Sequence, residues 1–334
     1  MLVSGLAVLA VVGAGAVISV DRADEPADMA VADAPPDVAL ATDVYSWARG
    51  SVLHTATGQI DVGHPIEAYV RTAVGYVFTD GAGSVYAVDA VGIDRVGVTT
   101  DVRPRLVSDP QGDLVGWVDP SGERPAFVVL DQSTGVLTRD DSHTSPGMPL
   151  LDDAAGAALV YAIDGVTLYL RDERGAVAVD TSTGRERVID PRAVPGATVS
   201  GAGSGLIAFE TDTGTAIGAA REGARLIDGL DGSPVLFSPD GRYVTSDSES
   251  LGVYDVVSGA RVDFDLDRGF ATGYEWLGDG TLVVLAAQRA RGDADAELLT
   301  CDVPTGVCET VVPSIGTFDE LERDGAAQGG LPTG

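Results

Sequence analysis

From about residue 44 onward, hydrophobic positions come in short runs of four to eight residues. Some alternate with polar residues and others are continuously apolar and β-branched. YVFTD, VYAVD, LVGWVD, AFVVLD, VTLYLRD, AVAVD, LIAFET, LGVYD, TLVVLAA and ELLTCD are the clearest. Each run is bounded by Gly, Asp, Pro or Ser, and almost nothing between residues 41 and 314 reads as a long helix. Such punctuation, with period-2 alternation, predicts an all-β domain of many short strands.

The turns recur. A strand ending in Asp is followed by a tight turn ending in Gly, from Asp131 to Gly135, Asp180 to Gly184, Asp255 to Gly259 and Asp302 to Gly306. Weaker copies end at Gly58, Gly92 and Gly223. The Asp carboxylate can accept from the following backbone N–H groups, and Gly takes the positive φ that closes the hairpin. The seven glycines recur about every 41 residues, close to the repeat of a propeller blade. A second turn lies half a repeat earlier. Its clearest copy is Ser238-Pro239-Asp240-Gly241, with Ser108-Asp109-Pro110-Gln111-Gly112 and Gly278-Asp279-Gly280 similar. One unit therefore reads strand, SPDG turn, strand, strand, D-x-x-[ST]-G turn, strand, most sharply over residues 235–266.

The segments FSPDGRYV and VYDVVSG, with the spaced D-x-x-[ST]-G turns, resemble the WD-repeat and TolB-like β-propellers over roughly residues 44–314. No copy carries the Trp-Asp dipeptide of true WD repeats; Tyr86, Leu130 and Tyr254 stand at or near that place. The resemblance implies a single β-propeller of four-stranded blades around a central channel. Seven turn glycines predict seven blades, or six if the first unit is only an edge. The first unit offers about three strands, so a carboxy-terminal strand at 311–316 is expected to complete it and close the ring. Residues 44–316 are then one cooperative domain, and residues 317–334 read as a disordered tail.

Before the repeat, residues 1–20 are uncharged and apolar, and acidic residues follow at once. Twenty helical residues span ~30 Å, the thickness of a bilayer core. Beside the plain reading of a buried amino-terminal helix or strand, two export readings stay open: a signal anchor, or a signal peptide cleaved at Ala14-Gly15-Ala16. Either expects the bulk of the chain to be extracytoplasmic, anchored to the cell membrane or secreted. Residues 21–43, rich in Ala, Asp and Pro, read as a flexible tether.

Cys301 and Cys308 are the two cysteines. A turn at Pro304-Thr305-Gly306, closing symmetrically, sets them opposite each other across a hairpin, within disulfide range. A metal pair and two free thiols are the rival readings. Two cysteines without a nearby histidine make a poor zinc site, and a disulfide agrees with an exported chain.

Composition narrows function mainly by exclusion. The chain has 334 residues, 51 acidic and 21 basic, for a net charge of −30. Every basic residue is arginine, which rules out a Schiff-base or P-loop lysine. The acidity argues against binding nucleic acid or docking on anionic lipid. The lysine-free, Ala/Gly/Asp/Arg-rich composition points to a bacterium with a GC-rich genome.

Candidate chemistry is sparse. His54, His64 and His143 are well separated and read as surface or turn residues. Asp263, Asp265 and Asp267 alternate with apolar residues, which places them on one face of a strand. They read as a solvated outer face, because the spacing fails the EF-hand pattern. Gly81-Ala82-Gly83 and the glycines at 201, 203 and 205 open no helix, so they read as strand-connecting turns and not phosphate loops. Trp47, Trp117 and Trp276 are expected to pack between blades. Arg291-Gly292-Asp293 reads as coincidence.

No catalytic, metal or cofactor residues are assigned, and no cofactor is expected. The expectation is a monomeric, non-catalytic exported propeller that binds an unknown protein or cell-envelope component. A small-ligand or glycan binder and a channel-sited hydrolase, lyase or cyclotransferase are the alternatives.

Overall fold

The computed structural model describes residues 16–19, 44–101, 104–109, 111–150, 156–191, 199–231, 234–246, 250–289, 293–317 and 320. After a short strand, β1 (Ala16–Ser19), seven antiparallel sheets follow in chain order. Blade 1 is β2 (Ser46–Arg49), β3 (Val52–Thr55) and β4 (Gly58–Asp61). Blade 2 is β5 (Ala68–Arg71), β6 (Tyr76–Thr79), β7 (Ser84–Val88) and β8 (Ile93–Val98). Blade 3 is β9 (Val107–Ser108), β10 (Leu114–Asp119), β11 (Ala126–Asp131) and β12 (Val136–Asp140). Blade 4 is β13 (Leu159–Asp164), β14 (Thr167–Asp172), β15 (Gly175–Asp180) and β16 (Arg185–Asp190). Blade 5 is β17 (Val199–Gly203), β18 (Leu206–Thr211), β19 (Gly214–Gly218) and β20 (Arg225–Ile227). Blade 6 is β21 (Val235–Phe237), β22 (Tyr243–Ser246) and β23 (Val253–Asp255). Blade 7 is β24 (Phe270–Trp276), β25 (Thr281–Ala287), β26 (Asp295–Asp302) and β27 (Val307–Thr317). The first strands of blades 2 to 7 lie side by side in succession, which makes them the inner ring of a seven-bladed β-propeller.

The predicted turns join third to fourth strands. In each of the four clear copies the glycine N–H donates to the aspartate carbonyl, at 2.7–2.9 Å for Asp131–Gly135, Asp180–Gly184, Asp255–Gly259 and Asp302–Gly306. The aspartate Oδ1 accepts from the N–H of Thr134, Thr183, Ser258 and Thr305 respectively. The glycines have φ between 68° and 72°. The SPDG turn joins β21 to β22: Gly241 N–H donates to Ser238 O at 2.8 Å, and the Ser238 hydroxyl donates to Asp240 Oδ1 at 2.7 Å. Pro239 adds the carbonyl that Ser204 Oγ reaches from blade 5, at 2.7 Å.

Chain direction settles which strands blade 1 contains. Each complete blade enters by its inner strand from one face and leaves by its outer strand at that same face. Ile66 N–H, two residues before β5, donates to Gly50 O in the β2–β3 turn at 2.8 Å. That turn therefore lies on the entry face, where second strands end. So β2, β3 and β4 are the second, third and outer strands, and no described residue takes the innermost place. The expected strand at 311–316 does not fill it: these residues continue β27, where Val312 pairs with Leu298 and Gly316 with Ala296. Two register slips in that pairing absorb the extra residues and keep the segment on blade 7, with Ile315 buried.

Blade 6 also departs from expectation. Its fourth strand is reduced to one bridge, Tyr254 with Arg261, and residues 262–267 run on without ladder pairing. Their alternation persists: Phe264 and Leu266 pack into the core between blades 6 and 7, while Asp263, Asp265 and Asp267 are exposed. The segment leans on the next blade, where Gly306 leaves Asp263 O so near that a Cβ would stand 2.3 Å from it.

Only Ala16–Ser19 of the predicted membrane segment is described. It is extended and pairs antiparallel with β12, Ala16 opposite Arg139 and Ser19 opposite Val136. The rest of residues 1–20, the tether at 21–43 and nearly all of the tail lie outside the described residues. Among the described residues no helix is long and apolar enough to cross a membrane.

Apolar side chains fill the spaces between neighbouring blades. Trp117 is fully buried, its Nε1–H donating to Val98 O at 3.0 Å. Phe209, Tyr69 and Phe78 are similarly enclosed, and each such side chain contributes roughly 1.5–3 kcal/mol of hydrophobic stabilisation. Gly201 is not in a connecting turn, as its sequence suggested, but within β17. A Cβ there would stand 2.0 Å from Val235 O of blade 6; glycine lets the two inner strands approach.

Candidate functional site

Polar contacts tie the inner turns of successive blades. Ala73 N–H of blade 2 donates to Gly112 O of blade 3 at 2.9 Å. Gly165 N–H donates back to Asp109 Oδ2 at 3.1 Å, and Gly205 N–H to Asp164 Oδ2 at 2.6 Å. Gln132, in the third-to-fourth-strand turn of blade 3, inserts into blade 2: it donates to Val88 O at 2.9 Å and accepts from Thr72 Oγ1 at 2.8 Å.

The densest buried chemistry lies where blades 7, 1 and 2 meet. Arg71 ends β5 and Glu275 lies near the end of β24, so both stand at the same face of the ring. Their side chains are each 3% exposed, and Arg71 Nε lies 2.8 Å from Glu275 Oε1. Arg71 Nη2 donates to Trp276 O at 3.2 Å, and Arg71 O accepts from Ser108 Oγ of blade 3 at 2.7 Å. Beside the pair, Ser46 Oγ is 3.2 Å from Tyr69 OH, and Ser46 O accepts from Tyr274 OH at 3.5 Å. One side chain from each of three blades thus meets at Ser46.

A β-bulge between Gly273 and Glu275 places this cluster. A bulge re-aims a side chain, and here Tyr274 enters the core against blade 1 while Glu275 reaches Arg71. The inner strands of blades 4 and 5 slip at the corresponding place, between Val160 and Ala162 and between Val199 and Gly201.

Burial dominates the electrostatics. It pushes the Glu275 carboxyl up to about 7, against the opposing pull of the Arg71 charge. Neither Glu275 oxygen has a well-aligned hydrogen-bond donor among the described residues, so the Arg71 contact is an ion pair with poor hydrogen-bond geometry. Burial also raises the Tyr69 and Tyr274 hydroxyls well above their ordinary value, which keeps both neutral. A carboxyl that titrates near neutrality beside a cation has the properties of an acid–base group, but this one is enclosed.

Other, partly exposed ion pairs hold neighbouring segments. Arg221 Nε lies 2.5 Å from the buried Asp190, Arg139 pairs with Asp119, and Arg174 bridges Asp172 and Glu186. The histidines stand in three separate places. His54 stacks on Trp47 and His64 on Tyr86, with centroids 3.8 and 4.4 Å apart, while His143 Nε2 is 3.4 Å from Glu186. Among the described residues no three His, Cys, Asp or Glu cluster as a metal site. Arg291 and Gly292 lie outside the described residues.

Cys301 and Cys308 form a disulfide across a directly opposed β26–β27 pair, with Cα atoms 4.0 Å apart. The structural turn residues stay at the turns and converge on no common site. Sequence reasoning missed Arg71 and Glu275; buried charge in inner-strand runs was the available signal, in AYVR and GYEW.

The fold and its inner cluster define a seven-bladed propeller of distant TolB and WD-like similarity. No protein-family model and no curated protein matches the chain. Among solved structures it is similar to TolB from Acinetobacter baumannii, at 12% identity and a TM-score of 0.44, over 82% of this chain and 64% of that one. It also resembles the tricorn protease, at 12% identity and a TM-score of 0.37, over 82% of this chain and 29% of that one. The computationally designed Ika8 protein is similar at 13% identity and a TM-score of 0.48, over 80% and 86%. The chain thus spans less than two thirds of the TolB and tricorn chains, and at such identities the likeness concerns the fold alone.

Proposed function

We propose that the chain is an exported, non-catalytic propeller that serves as a protein-binding platform in the cell envelope. The observation that carries this reading is the position of the exposed large apolar residues. Val136, Val188, Leu226 and Val307 lie on outer strands, and Val91 and Val257 at third-to-fourth-strand turns; Val166, in the β13–β14 turn, is the exception. Val91 and Val257 are 74% and 80% exposed. Apolar points on the outer rim suit a partner that packs against the edge of the ring. The disulfide supports an oxidising compartment, reached by anchoring or cleavage of residues 1–20.

The test is recovery of partners from envelope extract on the full chain, at low and high salt. Val257→Glu with Val307→Glu, and separately Val91→Glu with Val136→Glu, probe the two parts of the rim. One envelope protein should be recovered by the wild type at both salt levels and lost with a folded rim variant. Recovery unchanged in both variants argues against the rim.

A second reading, a small-ligand or channel enzyme site, requires that opening of the ring expose Glu275 beside Arg71, since both are enclosed in the closed ring. A metabolite and glycan screen with wild type and Glu275→Gln separates it: a ligand lost only in the variant favours this alternative.

A further inference from the structure

The Arg71–Glu275 contact stands at the one junction where the inner strand of blade 2 is tied to that of blade 7, with blade 1 between them. We infer that this pair is a proton-controlled clasp on the closed ring, which holds more tightly when Glu275 carries a proton and loosens when it loses it.

The geometry supplies the argument. Closing the ring removes Glu275 from water and gives it one partner, Arg71, in place of a hydration shell. A carboxylate so enclosed is unfavourable unless its lone pairs are met, and neither oxygen has a well-aligned donor among the described residues. The groups facing it are Arg71 and Tyr69 from blade 2 and Tyr274 of its own strand, behind which Tyr45 faces Tyr274. Tyr69 and Tyr274 stay neutral through the physiological range. Arg71 also donates to Trp276 O, and Glu275 is the member of the clasp that titrates near neutrality.

The direction follows from linkage. The carboxyl is at about 7 when enclosed, against its ordinary 4.5. The closed seam therefore holds more proton than the open seam between those two values, and raising the pH through that window favours opening. If the open seam restores the ordinary value, opening should rise on the order of 70-fold from pH 5 to pH 8. A Glu275→Gln side chain cannot lose a proton and should hold the seam at one level throughout.

The experiment is hydrogen exchange on the full chain from pH 5 to pH 8, corrected for the intrinsic pH dependence of amide exchange. Amides of Ser46–Arg49, Ala68–Arg71 and Phe270–Trp276 report the seam, and those of β13 and β17 serve as control. Opening in the wild type should rise several tens of fold more at the seam than at the control, and the rise should vanish in Glu275→Gln. An equal pH response at both places, or an undiminished rise in Glu275→Gln, overturns the clasp. If that variant does not fold, carbon-13 titration of the wild-type Glu275 carboxyl decides. A midpoint near 7 with parallel seam opening supports the inference, and a midpoint near 4.5 overturns it.

Discussion

Arg71 Nε of blade 2 lies 2.8 Å from Glu275 Oε1 of blade 7, and both side chains are enclosed. Removing one partner of a buried ion pair leaves the other uncompensated, whereas replacing both with apolar groups can be nearly neutral. Arg71→Met should therefore cost ~3–5 kcal/mol at pH 8, where Glu275 is ionised, and clearly less at pH 5, where it carries a proton. The double variant Arg71→Met with Glu275→Leu should lose far less than the sum of the single changes. Denaturant unfolding of the four members of this double-mutant cycle checks it; strictly additive losses would mean that the two residues do not act together.

The disulfide lies within one hairpin, between neighbouring strands of blade 7. Closing so short a loop stabilises by roughly 2.5 kcal/mol on the chain-entropy model. Cys301→Ala with Cys308→Ala should lower stability by about that much while leaving seven blades. Unfolding midpoints and far-ultraviolet circular dichroism provide the measurement; loss of the β spectrum at ambient temperature contradicts the prediction.

Gly135 and Gly306 occupy the same turn position with φ of 69° and 71°, yet their surroundings differ. A Cβ at Gly135 meets nothing within 4 Å, whereas one at Gly306 stands 2.3 Å from Asp263 O. Gly135→Ala should cost ~1–2 kcal/mol through the left-handed backbone alone. Gly306→Ala adds a backbone clash and should cost clearly more. Matched thermal melts compare them, and equal losses would show that blade 6 yields freely at Asp263.

The Ser258 backbone N–H and then its hydroxyl hold the Asp255 carboxyl below the usual carboxylate range. For a carboxyl depressed on folding, the stabilisation is present above the unfolded value and is lost as the pH falls through the folded one. Asp255→Asn should reduce stability at pH 7 and flatten the loss of stability below pH 4. Glu275, shifted upward, acts in the opposite direction, so the two variants should tilt the stability profile in different windows. Melting curves from pH 2 to pH 8 measure both, and a slope below pH 4 unchanged by Asp255→Asn goes against this account.

β1 covers the outer edge of β12 with four paired residues. Deleting residues 1–19 should speed amide exchange in Val136–Arg139 and leave β16 unchanged. Equal protection in the full and shortened chains would mean that β1 does not shield that edge.

The blade turns were legible because their chemistry is local: Asp131 and Gly135 carry the carboxylate and the backbone freedom their hairpin needs. The Cys301–Cys308 facing was legible for the same reason. In blade 6 the alternation of Val262 to Asp267 fixes which side chains turn inward but not whether the backbone finds a partner. The strand pattern of residues 311–316 does not encode which edge the strand joins, and β27 stays on blade 7 through two slips. Arg71 and Glu275 were not legible as a pair; only the ring brings AYVR of blade 2 to GYEW of blade 7.

Arg49, at the end of β2, lies 3.4 Å from Glu320, just past β27. The chain therefore leaves the last blade beside the first, and the order in which blades are synthesised is separable from their order in space. A circular permutant restarting at residue 44 therefore needs a linker that also spans the length of β2, because that strand begins at the face opposite Gly50 and ends beside Glu320.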